Sequence, residues 1–300
     1  MKHHAEFVFT CSSGHESQLC FSRRKSAIMG RIQRTDSRVG SGGGLTVEKK
    51  TKKRYKLISC EILFREVCYC AALCDHIIDV QFVRKGLHDM GTEKMAERLQ
   101  SEIDQVDVSG YDAILLCYGL CNNGVVNLSA EIPLVIPRAN DCITLLLGSK
   151  ERYNEYFDSN PGTFFKSSGW LERDVSPYEA EGGIMSQLGL QKTYEEYVEL
   201  YGEENADYIA EILGNWEANY KKIAYINTKV GNIETDRICS REAADDKRWE
   251  YEEVEGDMRL IAKLLAGEWD DSEFLVIPGG CRIRPSNDEG IVCCTSESDL

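Results

Sequence analysis

The stretch that decides the fold is Tyr111–Tyr118, which reads YDAILLCY and is followed directly by Gly119. A continuous apolar run of this length is typical of a strand buried on both faces, as in a parallel sheet. Shorter runs of the same kind lie on either side of it, at Tyr55–Cys60, Ile77–Val83, Pro133–Ile136, Lys222–Asn227 and Phe274–Ile277.

Helical patterns lie between these runs. They cover Thr92–Val106, Asp141–Phe157, Thr193–Tyr220 and Tyr251–Ala266, while Glu172–Lys192 is irregular and is interpreted as a lid or insertion. Strands that alternate with helices predict βαβ units. The sequence therefore predicts a Rossmann-like α/β protein with a doubly wound, mostly parallel sheet and helices on both faces.

The composition excludes several classes of protein. The chain has 300 residues, a formal net charge of −15 and 13 cysteines. No apolar run approaches the roughly 18 residues that a membrane span needs. An acidic total argues against nucleic-acid binding, which needs a basic face. We therefore expect neither a membrane nor a nucleic acid as a partner.

The charge also divides the chain. Residues 1–53 are basic, contain a glycine run near residue 42 and show little apolar periodicity. We expect a disordered leader at 1–53, a single α/β domain at 54–285 and a polar C-terminal tail at 286–300. A regulator that binds an anionic partner through the leader is an alternative interpretation.

The N-terminal sequence indicates in which compartment the cysteines lie. No apolar segment of the kind found in a secretory signal follows the first positive charges. We therefore expect a cytoplasmic protein in which the cysteines are thiols or metal ligands rather than disulfides.

A cysteine follows four of the predicted strands, and these cysteines are Cys60, Cys121, Cys142 and Cys281. Ligands of open α/β sheets bind outside the carboxyl ends of the strands, so we expect the four sulfurs to share one crevice. Thiolates suit zinc, copper(I), iron and iron–sulfur clusters. A helix cap at Asn140 or Asp141 would place Cys142 at a positive helix end, which favours the thiolate.

Polar side chains accompany these cysteines. The amides of Asn122 and Asn123 follow Cys121, and Arg138 follows the strand at Pro133–Ile136. We predict that these three side chains orient a substrate. An arginine in this position also suits a salt bridge at the sheet edge.

Other interpretations of the cysteines stay open. Small buried side chains packed at crowded strand ends explain the same pattern, and so does a single nucleophilic cysteine. A second group, Cys68, Cys70 and Cys74, is interpreted as core packing because it lacks the C-x-x-C spacing of redox and zinc-ribbon sites.

Several motifs together resemble one known family. They are YDAILLCYGLCNNG at 111–124, PLVIPRANDCI at 133–143, LGS at 147–149, PGT at 161–163 and GW at 169–170. The family is catalogued as domain of unknown function 1638 and occurs mainly in anaerobic bacteria and methanogenic archaea. Its members carry His-Asp-Cys where this chain has Asn140-Asp141-Cys142, so the resemblance implies Cys142 but no histidine as a ligand here.

The resemblance implies anaerobic one-carbon metabolism beside corrinoid-dependent methyl transfer, and no established activity. Such systems commonly use zinc–thiolate sites to activate a substrate, which agrees with the interpretation of the cysteines.

The resulting hypothesis is a metal–thiolate protein that binds a small substrate at the strand carboxyl ends. The predicted ligands of zinc or iron, or of an iron–sulfur cluster, are Cys60, Cys121 and Cys142, with Cys281 as the fourth ligand or an open position for substrate. The alternative is a non-enzymatic ligand-binding or accessory protein for a corrinoid protein or methyltransferase. The sequence does not decide between an enzyme and a binding protein.

Overall fold

The computed structural model describes residues 51–84, 92–173, 198–199, 202–203, 205–206, 220–286 and 288–296. The predicted leader, the irregular segment Glu172–Lys192 and the predicted helix Thr193–Tyr220 lie largely outside these residues. Within the described ranges, no helix is long and apolar enough to cross a membrane.

The protein is an α/β protein whose strands and helices alternate over most of the described chain. The strands are β1 (Arg54–Cys60), β2 (Ile77–Val83), β3 (Ala113–Cys117), β4 (Leu134–Pro137), β5 (Thr163–Lys166), β6 (Lys222–Asn227), β7 (Glu250–Glu255), β8 (Phe274–Ile277), β9 (Arg282–Pro285) and β10 (Val292–Thr295). The helices are α1 (Phe64–Leu73), α2 (Thr92–Asp104), α3 (Cys142–Leu147), α4 (Lys150–Ser159), α5 (Ser168–Glu172), α6 (Ile233–Lys247) and α7 (Arg259–Ala266), and a 3₁₀ turn at Glu61–Leu63 joins β1 to α1.

The strands form two sheets and a hairpin instead of one sheet. The first sheet has the order β2-β1-β3-β4-β8, and the second has the order β5-β6-β7. All pairs in both sheets are parallel except β4–β8, in which Leu134 lies opposite Ile277 and Pro137 opposite Phe274. The hairpin pairs β9 with β10.

The first sheet is buried on both faces, as the continuous apolar run at β3 predicts. One face presents Leu57, Leu115 and Val135 to a core that contains residues of α1, α3 and α7 and of the second sheet. The other face presents Ile58 and Leu116, among others, to a core that contains residues of α2 and the β9–β10 hairpin. Helices therefore cover both faces, because side chains alternate along each strand.

Two predicted helices differ from the structure for local reasons. The pattern at Asp141–Phe157 is broken into α3 and α4 because Gly148 takes a left-handed conformation with φ 87°, and Ser149 then caps α4 through Arg152 N at 3.1 Å. The pattern at Tyr251–Ala266 begins with β7, so only its second part is helical.

Strand β7 has an acidic sequence, EYEEVE, that does not resemble a buried strand. Two of its carboxylates are paired with basic side chains of neighbouring elements: Lys222 Nζ of β6 lies 2.9 Å from Glu252, and Arg237 Nε of α6 lies 2.7 Å from Glu253. Cross-strand pairs of opposite charge stabilise a sheet in this way.

The segment assigned to a polar C-terminal tail contains a strand. Val292 in β10 is fully buried. It packs with Ile283 of β9 in the core that also contains residues of α2. The described part of this segment is therefore integral to the core.

Helix α5 packs against the 3₁₀ turn so closely that only glycine fits at position 169. A Cβ on Gly169 would lie 1.7 Å from the carbonyl oxygen of Ile62, a main-chain atom that cannot swing away. The ends of β1 and β5 are therefore held together by a backbone contact.

We expect Gly169→Ala to lower the free energy of unfolding by about 2–3 kcal/mol, the upper range for overpacking. Gly110→Ala is the matched control, because its Cβ would meet only the Arg54 guanidinium at 3.8 Å, and it should change stability by less than about 0.5 kcal/mol. Urea denaturation of both variants measures these changes. A Gly169→Ala variant as stable as the wild type would contradict the close approach of position 169 to the Ile62 carbonyl group.

Candidate functional site

The site lies where the chain reverses its direction of travel across the first sheet. From β1 the chain goes to β2 on one side, and from β3 it goes to β4 on the other side. The parallel register places Ser59 beside Cys117, so β1 and β3 end together. In open α/β sheets this switch point, outside the carboxyl ends of the strands, is where ligands bind.

Two loops continue the sheet beyond the ends of β3 and β4. Leu120 N donates to Ala139 O and Cys121 N donates to Asn140 O, both at 2.8 Å. This close approach needs Gly119, since a Cβ there would lie 2.6 Å from the Cα of Asp141. The loops that carry Cys121 and Cys142 are thus fixed to each other by main-chain hydrogen bonds.

The loop after β3 holds three consecutive non-glycine residues in the left-handed region. Their φ angles are 48° at Cys121, 54° at Asn122 and 66° at Asn123. Two contacts hold the turn: Gly124 N donates to Cys121 O at 3.1 Å, and the Thr92 hydroxyl donates to Asn122 O at 3.1 Å. Backbone strain of this kind is concentrated at functional sites.

Asp141 caps helix α3. Its Oδ1 accepts from Ile143 N at 2.9 Å and from Thr144 N at 3.2 Å, while Oδ2 accepts from the Tyr153 hydroxyl at 3.3 Å. Cys142 is consequently the first residue of the helix, as the capping hypothesis predicts.

The expected preference for thiolate is not found at Cys142. Burial, reinforced by the neighbouring Cys121 and Asp141, raises the pKa of the Cys142 thiol well above its ordinary value. A helix of six residues contributes only a small opposing field, so desolvation dominates. Cys142 is therefore a neutral thiol at neutral pH.

Cys121 lies in the same environment. Burial, then Asp141 and Cys60, raises the pKa of its thiol, while the main-chain N–H groups of Gly119 and Cys142 oppose the rise. Cys60, Cys121 and Cys142 are each at most 7% exposed, and the charges that Cys60 and Cys121 would carry as thiolates raise the pKa of neighbouring thiols in the group, so the three side chains lie in one region of the core.

Tyr118 belongs to this cluster, although the sequence analysis did not select it. The residue is only 2% exposed, and among the described residues its hydroxyl has no hydrogen-bond partner. Burial raises its pKa, and the thiols of Cys60 and Cys121 raise it further. A buried tyrosine hydroxyl normally finds a partner, so this orphaned hydroxyl is unusual.

The sulfurs do not form a ready metal site. Among the residues that the structure describes, no group of three or more His, Cys, Asp or Glu side chains is arranged to hold a metal ion. The residue types suit a soft metal, but their present arrangement does not fit one.

Cys281 lies at the opposite end of the first sheet, beside the amino ends of its parallel strands. Strand β8 is antiparallel to β4, so its carboxyl end lies beside the start of β4, where Gly280 N donates to Ala130 O at 2.9 Å. The sulfur of Cys281 interacts with Cys294 of the hairpin instead. The expectation that Cys281 shares one crevice with the other three cysteines is therefore wrong.

Arg138 is occupied by main-chain carbonyl groups. Its Nε donates to Asp271 O and its Nη1 donates to Gly290 O, both at 2.8 Å, and Nη1 also donates to Val292 O. These contacts attach the C-terminal segment to the end of β4. They support a structural role, which differs from the predicted orientation of a substrate and from the alternative salt bridge.

The side chains of Asn122 and Asn123 are exposed on the strained turn, beside the thiol cluster in sequence. The structure therefore leaves their amide groups accessible.

A second buried polar group lies at the carboxyl end of β6. Asp236 of α6 accepts from Ser168 Oγ at 2.5 Å and from the Tyr225 hydroxyl at 3.3 Å. Near it, Glu66 of α1 accepts from the Thr228 hydroxyl at 2.7 Å. The sequence indicates Glu66 only as a residue near the crevice after Cys60, and it does not indicate Asp236 or Thr228, because these residues come from distant segments and form no local motif.

The fold and the site define a class: an α/β protein with a cluster of buried thiols at the switch point of a parallel sheet. The model of the family described as "Protein of unknown function (DUF1638)" matches residues 82–265. The chain belongs to this family, which confirms the resemblance seen in its motifs. No curated protein and no solved structure matches the chain.

We expect Asn123→Ala to lower the free energy of unfolding by about 1 kcal/mol, because a left-handed conformation is unfavourable for residues with a Cβ other than asparagine and aspartate. Asn123→Gly removes the same side chain without this penalty and should stay within about 0.5 kcal/mol of the wild type. Urea denaturation of the pair separates backbone strain from side-chain contacts. Equal losses of unfolding free energy in the two variants would show that the lost side-chain contacts, and not the backbone conformation, cause the effect.

Proposed function

We propose that this protein binds a small ligand at the carboxyl ends of β1, β3 and β4. The thiols of Cys60, Cys121 and Cys142 and the hydroxyl of Tyr118 form the wall that contacts it. The observation that carries the proposal is the Tyr118 hydroxyl, which is buried and has no partner among the described residues. An unsatisfied buried hydroxyl costs about 1–3 kcal/mol. A ligand atom that accepts a hydrogen bond from this hydroxyl would remove the cost.

The strand order supports the same location. The order β2-β1-β3-β4 matches that of flavodoxin-like doubly wound sheets, in which the ligand lies at the β1/β3 switch point. We include the Rossmann-like, doubly wound relationship in the proposal on this ground. A cytoplasmic location goes with it, because free thiols persist in a reducing compartment.

The chemistry of the wall limits the ligand. Because burial raises the pKa of Tyr118, Cys121 and Cys142, these groups keep their protons at neutral pH. The wall therefore offers weak donors and polarisable sulfur without a net charge, which suits a small, weakly charged molecule with an acceptor atom.

In the metal–thiolate form of the proposal, the three cysteines hold zinc or iron, and the ion polarises the bound molecule. The soft donor set favours this form, whereas the present arrangement of the side chains does not. Metal binding would have to displace the thiol protons, so uptake should increase as the pH rises.

In the metal-free form, the protein is a ligand-binding or accessory protein of a corrinoid methyltransferase system. The protonated state of the buried thiols favours this form, because a metal would have to displace those protons. The corrinoid partner follows from the family resemblance alone and stays a prediction.

We expect Tyr118→Phe to be more stable than the wild type without ligand, by about 1 kcal/mol, because it removes an unsatisfied buried hydroxyl. Tyr225→Phe is the matched control: this tyrosine is equally buried, but its hydroxyl contacts Ser168 and Asp236. The control should lose about 1–2 kcal/mol. Urea denaturation measures both, and a destabilised Tyr118→Phe would remove the observation on which the proposal rests.

Elemental analysis of anaerobically purified protein distinguishes the two forms. The metal–thiolate form predicts about one zinc or iron per chain, reduced in Cys142→Ser and increasing with pH. Cys239→Ser is the control, since this exposed cysteine lies on α6 outside the cluster. Less than about 0.2 metal per chain, unchanged by Cys142→Ser, would reject the metal form.

A further inference from the structure

Glu66 is a buried carboxyl group between the two sheets. It lies in the first turn of α1, just beyond the end of β1, and its side chain is fully buried. Oε1 accepts from the hydroxyl of Thr228, which follows β6, at 2.7 Å. Among the described residues Oε2 has no hydrogen-bond partner.

We infer that Glu66 is a proton-dependent latch. With its proton in place, the neutral carboxyl group holds the first turn of α1 against Thr228 at the end of β6. When the proton is lost, the cost of keeping the charge buried moves the first turn of α1 towards solvent and away from Thr228.

Within the part of the chain that the structure describes, no cation is paired directly with Glu66. Arg65, its neighbour on α1, points outward and forms an ion pair with Glu172 of α5 at 2.7 Å. The thiols of Cys70 on α1 and Cys117 on β3 lie near Glu66 and are themselves buried. Asp236 of α6 also interacts with Arg65.

These groups set the direction of the pKa. Burial raises the pKa of Glu66, and Glu172 adds to the rise, whereas the hydrogen bond from Thr228 and the charge of Arg65 oppose it. The folded carboxyl group therefore keeps its proton at a pH at which an exposed glutamate has lost it.

The sign of the effect on stability follows. The contribution of the protonated carboxyl is fully present below the unfolded value near 4.5. It is lost as the pH rises through the folded pKa, since the folded state then binds more protons than the unfolded state. The latch is thus closed at low pH and opens as the pH rises through the folded pKa of Glu66.

The latch differs from the proposed ligand site and does not depend on it. Only the 3₁₀ turn Glu61–Leu63 separates α1 from Cys60, so movement of the first turn of α1 reaches the end of β1. A change in pH is therefore transmitted to the strand end that carries the thiol cluster.

Hydrogen exchange of the full chain, read by mass spectrometry between pH 5 and pH 9, tests the latch. After correction for the intrinsic exchange rate, we expect protection of the first turn of α1 to fall as the pH rises from the unfolded value near 4.5 towards the folded pKa, by up to about tenfold per pH unit, and to level off above the folded pKa. In Glu66→Gln, which keeps the shape and the bond to Thr228 without a charge, protection should be independent of pH.

Two further variants complete the design. Glu102→Gln is the matched control, because Glu102 is also buried but is paired with Arg98 and Gln81 on α2 and β2. It should leave the pH response of α1 intact. Thr228→Val removes the donor that favours the charged form, so the response should move to higher pH.

A wild-type α1 whose protection does not change with pH, or a Glu66→Gln variant with the wild-type response, would overturn the latch. If Glu66→Gln does not fold, Thr228→Val decides. A response that stays at the same pH or moves to lower pH in this variant contradicts the inference.

Discussion

The parallel pairing of β1 with β3 is the constraint on which the site depends. Because Ser59 lies beside Cys117 in this register, the chain leaves both strands at the same level. Cys60 and Tyr118 then follow side by side, and the main-chain bonds from the 119–121 loop to the 139–140 loop bring Cys142 to them. A shift by one residue would turn every side chain of the strand to the other face. The cluster is therefore a product of register rather than of any local motif.

The sequence predicted this part of the molecule well and the rest less so, for physical reasons. A continuous apolar run indicates a buried strand, which is why β1, β3 and β4 were predicted correctly. An apolar run does not show in which direction its strand runs. Because β8 is antiparallel to β4, Cys281 lies at the opposite end of the sheet from the other three cysteines. The acidic β7 was missed because its stability comes from Lys222 and Arg237, which lie far away in sequence.

Burial, not charge, sets the chemistry of both polar regions. The thiols at the first sheet and Glu66 at the boundary with the second sheet have pKa values raised chiefly by desolvation. The large negative charge of the chain is carried elsewhere, on exposed or paired carboxylates such as those of β7. A net charge of −15 therefore says little about the site, where uncharged protonated groups predominate. The net charge therefore reflects the exposed surface and not the buried polar groups of the candidate site.

The order of strands along the chain has a consequence for how the protein is made. All three strands of the second sheet lie in sequence between β4 and β8, which are neighbours in the first sheet. The first sheet therefore cannot gain its last strand until the whole second sheet has left the ribosome. Non-local pairings of this kind fold slowly, and until β8 arrives, β4 presents an open, fully apolar edge to the cell. Biosynthesis of this chain should accordingly be sensitive to chaperones that shield exposed strands.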